Sequence, residues 1–273
     1  MLGTDLCQVL ARDHDLVSVD VDDFDVTDAP AVSQFVARHR PEMVIHCAAW
    51  TDVDGCERDP ERAFQQNATG TWHVASASAD AGAAMVYLST DFVFDGTKGE
   101  AYTEFDRPNP INVYGASKLA GEHLVRTLVA HHYIVRTAWL FGKGGRNFVR
   151  SILSKAADQQ ELPVVADQFG SPTYAGDLAA AIADLVVGGR LVPGTYHLVN
   201  SGLCSWAELA AEAFRLAGKA TGVKPIPGSE WPSPARRPAC SALRSAWLEL
   251  RNLPALRKWE EALADYLDED VSQ

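Results

Sequence analysis

A chain of 273 residues with 47% hydrophobic content can bury a full core, as one large domain or two unequal ones. Its net charge of −12 and pI of about 5.0 repel a phosphate backbone, and no basic patch compensates, so neither nucleic acid nor an anionic membrane is an expected partner. No apolar run approaches the roughly 18 residues of a membrane helix, and no basic-then-apolar leader opens the chain. The five cysteines (Cys7, Cys47, Cys56, Cys204 and Cys240) are odd in number, scattered and never paired as C-x-x-C. Free thiols in a reducing cytoplasm are expected, and no zinc or other metal site.

In chain order, Leu2 to Arg12 is predicted helical, with Leu2, Leu6, Val9 and Leu10 at helical spacing. Leu16-Val-Ser-Val-Asp20 predicts a short strand ending in an acid. Asp28 caps a second helix with Pro30 in its first turn and Val32, Phe35 and Val36 as its buried stripe. Glu42 to Ala49 is a near-continuous apolar run, the mark of a parallel strand covered on both faces. Pro60 to Ala81 reads as one long Ala-rich helix, Ala84 to Ser89 as a buried strand, and Leu119 to Val129 as a helix continuing the Asn112–Lys118 run. Tyr133 to Trp139 is a further strand. This alternation is the pattern of an α/β, Rossmann-like doubly wound parallel sheet.

Beyond Gly142 the texture changes. Gly-Lys-Gly-Gly (142–145) is a joint, followed by a helix over Asn147 to Ala157, a strand over Leu162 to Ala166 and a helix over Asp177 to Val187. Thr195 to Asn200 predicts a strand, and Ser205-Trp-Ala-Glu208 a capping box opening a helix to Leu216. Gly228 to Pro238, rich in proline, is an irregular loop, and Trp259 to Leu267 a terminal helix. Residues 1–142 are expected to form a dinucleotide-binding domain. Residues 143–273 are expected mainly to form a smaller substrate-binding domain, with segments returning to the first.

A dinucleotide fold opens with a strand, a Gly-rich turn and a helix whose N-terminus receives the pyrophosphate. Only the last piece of that turn is present here, Gly3. Asp20 falls about where the ribose-binding acid of such a fold lies. The first strand is central in these sheets, and its loss would leave its neighbours with unpaired backbone groups at about 1–3 kcal/mol each. The expectation is therefore that the natural chain begins upstream of Met1; a truncated, non-catalytic chain is the alternative.

The chemistry centres on Tyr114 and Lys118, four residues apart on one helix and so on one face. An ammonium beside a phenol favours the phenolate, which suits a general acid or base for carbonyl/alcohol interconversion. An exposed pair on a solvated helix is the plain alternative. Three patches line up with the pair. Asp25-Val26-Thr-Asp28 follows the second strand where an adenine could lie. Ala48-Ala49-Trp50-Thr51 ends a strand with small residues that let a cofactor cross the sheet edge. Ser89-Thr90-Asp91 ends the next strand with hydroxyls, where ligands bind in open α/β sheets.

With these runs the chain resembles the extended short-chain dehydrogenase/reductases, and within them the dTDP-4-dehydrorhamnose reductase family. The matching runs are 47–54 (CAAWTDVD), 67–70 (NATG), 89–96 (STDFVFDG), 112–122 (NVYGASKLAGE), 136–142 (RTAWLFG), 167–173 (DQFGSPT) and 237–241 (RPACS). The resemblance implies that Tyr114 protonates a C4 ketone oxygen as a nicotinamide hydride reaches C4. Lys118 would hold the nicotinamide ribose and lower the Tyr114 pKa, and Thr90 would polarise the carbonyl. Asn67, Asp91, Trp139 and Asn147 are implied as sugar contacts, and Gln168, Thr173 and Arg237 as groups orienting the nucleotide diphosphate. Gly3, Asp20, Asp25, Val26, Ala48, Ala49, Thr51, Tyr114 and Lys118 are the implied cofactor contacts.

Phe92 and Trp50 stand where the family usually has tyrosine. Val-Asp-Asp after Asp20 offers no cation for a 2′-phosphate, and Asp20 and Asp22 would repel one. Of NADPH and NADH, the sequence therefore leans to NADH. The expected partner is a dTDP-sugar, and a homodimer is an assembly compatible with this reading. The rivals are another nucleotide-sugar reductase or epimerase, and a non-catalytic regulatory subunit of the methionine adenosyltransferase beta type.

Overall fold

The computed structural model describes residues 1–156 and 159–271. Helix α1 (Leu2–Leu10) buries Leu2, Leu6 and Leu10, as its periodicity requires. Helix α2 (Ala29–His39) is capped by Asp28, whose carboxylate accepts the Ala31 N–H at 3.1 Å. Strand β1 (Met43–His46), shorter than the apolar run, leads to α3 (Val53–Arg58). Helix α4 (Pro60–Phe64) passes through a π turn at Gln65–Thr69 into α5 (Gly70–Asp80). The predicted long helix is thus one rod with a bulge, and the bulge carries Asn67. Then follow β2 (Ala84–Thr90), α6 (Val113–Leu128) and β3 (His132–Thr137).

After Thr137 the elements shorten: β4 (Leu140–Phe141), α7 (Phe148–Lys155), β5 (Glu161–Val165), β6 (Phe169–Gly170), β7 (Thr173–Tyr174) and α8 (Ala175–Ala181). Next come β8 (Gly194–His197), β9 (Asn200–Ser201), β10 (Cys204–Ser205), α9 (Trp206–Leu216), β11 (Gly222–Ile226), α10 (Ala246–Leu250), β12 (Leu256–Lys258) and α11 (Trp259–Val271). Ser205 and Glu208 form the expected capping box. The helix predicted to reach Ala157 ends earlier, and Ala157 itself lies outside the described residues.

The main sheet is parallel, in the order β1-β2-β3-β8, so β8 returns from the second half of the chain to pair with β3. Alternate residues of β2 feed opposite faces. Val86 and Leu88 pack with α1 and α8, while Met85 and Tyr87 pack with α2 and α5. The carboxyl ends of β1, β2 and β3 therefore lie side by side at one edge, where ligand-binding crevices form in open α/β sheets.

The strand expected at Leu16 to Asp20 is not formed. Val17 is 51% and Val19 41% exposed, and the segment pairs with no strand among the described residues. A strand exists only through a neighbour's backbone groups. β1 is the edge of the sheet, and residues 16–20 do not lie on its ladder.

Candidate active site

Thr90 is the last residue of β2. The chain turns directly after it, and the Phe92 N–H donates to Thr90 Oγ1 at 3.2 Å. Helix α6 starts at Asn112, whose side chain accepts the Gly115 N–H at 2.8 Å and donates to the Arg236 carbonyl at 2.9 Å. A Cβ at position 115 would overlap the Phe92 carbonyl. Glycine there lets α6 press onto the turn that bears Thr90, which brings Tyr114 against Phe92, ring edge to face at 6.0 Å.

Lys118, one turn further, is only 2% exposed. Its ammonium lies 4.2 Å over the Tyr87 ring, and the Tyr87 hydroxyl donates to the Lys118 carbonyl at 3.2 Å. Burial lowers the Lys118 pKa to about 7, opposed by the negative charge of Glu122. The expected effect of Lys118 on Tyr114 is not what governs the phenol. Burial raises the Tyr114 pKa above its ordinary value, and contact with the Thr90 hydroxyl offsets only part of this. Tyr114 is thus held as a neutral phenol, the form that can give up a proton.

Asp91 is 3% exposed and accepts two hydroxyls, Thr90 Oγ1 at 3.0 Å and Ser241 Oγ from a segment 150 residues away in sequence. Burial pushes its pKa up to about 6, with the Ser241 and Thr90 hydrogen bonds pulling down. Each of its oxygens thus already accepts a hydroxyl from within the protein.

Three more expected ligand contacts already have partners within the protein. Asn67 is fully buried; it accepts the Trp50 N–H at 2.8 Å and donates to the Trp50 carbonyl and to Ser117 Oγ, both at 3.0 Å. It fastens the end of β1 to α6. Asn147 caps α7, accepting the Arg150 N–H and donating to the Gly142 carbonyl, each at 2.9 Å. Thr173 is fully buried, pairs with Leu140 between β7 and β4, and donates to the Ser171 carbonyl at 3.2 Å.

Trp139 keeps a half-buried face and stacks on Trp206 at 3.4 Å and 5°. Gln168 lies against Gly228 of the Pro-rich loop. Arg237 is ion-paired: Nη1 donates to Asp54 Oδ1 at 2.9 Å and to the Ala235 carbonyl at 3.0 Å. Through Asp54 it fastens that loop to α3.

On the cofactor side, Ala48 and Thr51 are exposed and Ala49 half-buried just beyond β1. The Lys118 charge acts on both His46 and Cys47, which puts the ammonium beside this strand end. Gly3 stands in the first turn of α1 with no atom within 4 Å of its Cβ direction. Asp25 accepts the Thr27 N–H at 2.8 Å and lies within reach of Gln66, and Val26 packs against Gly70. Asp20 and Asp22 are exposed, and Asp20 is occupied locally by the Val21 N–H at 2.7 Å. A buried ammonium that forms no ion pair with a carboxylate among the described residues, with its charge acting on the end of β1, fits the hydroxyl-bearing ribose of a nicotinamide dinucleotide.

Sequence reasoning did not single out Ser117, Tyr87, Asp54 or Ser241. Ser117, Asp54 and Ser241 sat inside runs already marked, and a tyrosine in the otherwise apolar strand 84–88 was the available signal for Tyr87.

A family model described as RmlD substrate binding domain matches residues 1–272. The chain belongs to the RmlD substrate-binding domain family. Among curated members, the spore coat polysaccharide biosynthesis protein SpsK of Bacillus subtilis is 37% identical, over 99% of this chain and 95% of its own. A dTDP-4-dehydrorhamnose reductase of Streptomyces griseus is 41% identical, over 97% and 89%. Of solved RmlD-type structures, the dTDP-4-dehydrorhamnose reductase of Bacillus anthracis in complex with NADP superposes with a TM-score of 0.95 at 42% identity, covering 98% of this chain and 95% of that one. A Thermus thermophilus UDP-glucose 4-epimerase complex with NAD, at 21% identity and a TM-score of 0.81, shares the Rossmann-like fold.

Proposed function

We propose that this RmlD-family chain is a dTDP-4-dehydrorhamnose reductase, using NADPH or NADH to reduce the C4 ketone of dTDP-4-dehydro-β-L-rhamnose to dTDP-L-rhamnose, a donor for cell-surface polysaccharide. The observation that carries this reading is Thr90 against Tyr114 at the end of β2, with Lys118 buried one turn further along α6 and its charge acting on the end of β1, in a chain about 40% identical along its length to reductases of that name. A bound nicotinamide supplies the hydride. Tyr114, neutral in its buried seat, gives its hydroxyl proton to the C4 oxygen, which becomes the alcohol. Thr90, with its hydroxyl turned from Asp91, can donate to the same oxygen. Lys118, with its pKa near 7, is charged enough at neutral pH to hold the ribose and to steady the phenolate that Tyr114 leaves behind.

Gly3, Asp25, Val26, Ala48, Ala49 and Thr51 are the residues assigned to the dinucleotide. Trp139, Gln168 and Arg237 are assigned to the dTDP-sugar, Trp139 by stacking and Arg237 through the guanidinium nitrogens that Asp54 leaves free. In this reading residues 1–142 bind mainly the dinucleotide and 143–273 mainly the sugar nucleotide. Asp20 and Asp22 disfavour a 2′-phosphate, so NADH is the expected preference, although NADP occupies the B. anthracis relative. The enzyme acts in the cytoplasm, with a homodimer as the assembly to test.

The test is oxidation of NADH and NADPH by the purified chain with dTDP-4-dehydrorhamnose, with the product identified by NMR. Turnover to dTDP-L-rhamnose is expected. A folded protein that binds the cofactor yet oxidises none of it would overturn the reading in favour of a regulatory role.

A further inference from the structure

Thr90 has one proton and two places to send it. Its hydroxyl lies 3.0 Å from Asp91 Oδ1, while its oxygen already accepts the Phe92 N–H at 3.2 Å. A hydroxyl that donates to Asp91 has no proton left for a substrate carbonyl. The other Asp91 oxygen is held by Ser241 Oγ, and Asp91 is that hydroxyl's partner. Ser241 is 2% exposed and closes the Arg237–Ser241 run, so a residue of the C-terminal half reaches the end of β2.

We propose that Asp91 and Ser241 are positioning residues that set the direction of the Thr90 proton, Asp91 by gaining or losing a proton and Ser241 by holding the oxygen turned away from Thr90. The proposal rests on the reductase reading, in which Thr90 donates to the C4 oxygen. When Asp91 is ionised it accepts from both Thr90 and Ser241, and Thr90 faces away from the substrate. When Asp91 is neutral with its proton on Oδ1, it donates to the Thr90 oxygen. That oxygen then accepts twice, from Asp91 and from the Phe92 N–H, and its own hydrogen is released toward the pocket. Ser241, donating to Oδ2, leaves Oδ1 as the oxygen that carries the proton.

The surroundings allow such a titration. Tyr114 faces Asp91 from α6, Ser241 from the C-terminal segment, and Thr90 and Phe92 from its own turn. No Lys, Arg or His forms an ion pair with it among the described residues, so only hydrogen bonds favour its carboxylate form. Burial, which raises its pKa to about 6, outweighs the two hydroxyls and the backbone N–H groups of Asp91 and Phe92, all of which favour the ionised form.

The experiment measures kcat and KM for ketone reduction against pH in the wild type, Ser241→Ala, Asp91→Asn and Thr90→Val. Alongside, a carboxyl-carbon NMR titration of Asp91 is read in protein without substrate. In the wild type, kcat is expected to fall as pH rises through the Asp91 titration seen by NMR. Ser241→Ala removes a hydrogen bond that favours the ionised form, so both the kinetic limb and the NMR midpoint move to higher pH, by about one unit. Asp91→Asn copies the neutral state: its amide N–H donates to Thr90 and its oxygen accepts from Ser241. It should retain turnover and lose that pH limb. Thr90→Val should lose kcat at every pH.

A pH limb unchanged in Ser241→Ala and Asp91→Asn, with KM raised instead, would overturn the proposal and return Asp91 to a sugar contact. So would an NMR midpoint that Ser241→Ala does not move. A wild type with no reductase activity would sink the reductase reading alone, since the NMR titration tests the Asp91–Ser241 linkage by itself.

Discussion

The ammonium of Lys118 sits 4.2 Å above the ring of Tyr87, a residue of β2 that is itself fully buried. This contact offsets part of the cost of burying a cation, at about 2 kcal/mol for a desolvated pair. Without the ring, the charged form loses support and the Lys118 pKa falls further below 7. Tyr87→Leu is therefore expected to move the alkaline limb of cofactor binding to lower pH and to weaken NADH binding several-fold at pH 8. Tyr87→Phe keeps the ring and loses only the hydroxyl bond to the Lys118 carbonyl, so it should bind almost as the wild type does. Fluorescence titration of NADH across pH separates the two variants. Equal behaviour of Leu and Phe at this position would show that the ring carries no charge support.

One turn beyond Lys118, Glu122 is buried between two arginines. Arg136 reaches it at 2.8 Å through Nε and 2.7 Å through Nη2, Arg126 at 2.8 Å and the Ser89 hydroxyl at 2.6 Å. Burial alone would raise the Glu122 pKa, but the hydrogen bonds and charge of Arg136 outweigh it, and the net shift is downward. A carboxylate with a depressed folded pKa stabilises the fold above its unfolded pKa. That contribution is lost as pH falls through the folded value. Glu122→Gln leaves Arg136 buried and uncompensated, and a loss of about 3–5 kcal/mol is expected at pH 7. Urea denaturation at pH 7 and at successively lower pH should show the gap between wild type and variant closing on the acid side. A gap that stays constant would assign the loss to packing rather than charge.

The parts of this molecule that repeat were readable from sequence, and the parts that depend on a distant partner were not. The buried runs of β1, β2 and β3 and the helical spacing of α6 declare themselves within a dozen residues, as does the pairing of Tyr114 with Lys118 on one face. The failed strand at 16–20 has the right composition but no ladder beside it. Asn67 looked like a ligand contact because a buried amide and a binding amide are the same residue type; only Trp50 and Ser117, from two other elements, show that its groups are already used. Ser241 was inside a recognised run, yet its role depends on Asp91, 150 residues earlier.

Trp139 adopts φ of +46°, a left-handed conformation that costs a non-glycine residue about 1–2 kcal/mol. The conformation lays its indole on Trp206, and Gly170 closes on the indole edge, where a Cβ would overlap it. Gly170→Ala is expected to displace the indole. KM for the dTDP-sugar should then rise about tenfold, the loss of one aromatic contact, while the NADH affinity stays unchanged. Because Trp139 is stacked, its displacement should also change the tryptophan emission. A raised KM with unchanged emission would place the defect elsewhere in the Phe169–Thr173 segment.

Asp54 and Arg237 hold the Pro-rich loop to α3, with Ser233 between them. Burial would raise the Asp54 pKa, but the Arg237 hydrogen bond and charge outweigh it, so the pair is ionic at neutral pH. The two side chains are 27% and 24% exposed, so the pair adds at most about 1 kcal/mol to stability. Its effect should appear in binding, because the carboxylate competes with a diphosphate for the same guanidinium. Arg237→Ala is expected to raise KM for the dTDP-sugar by tenfold or more. Asp54→Asn keeps the shape, frees the guanidinium and is expected to lower KM at low salt, a gain that fades as salt screens the diphosphate. If instead both variants raise KM equally, the pair serves to hold the loop, and Arg237 does not meet the diphosphate.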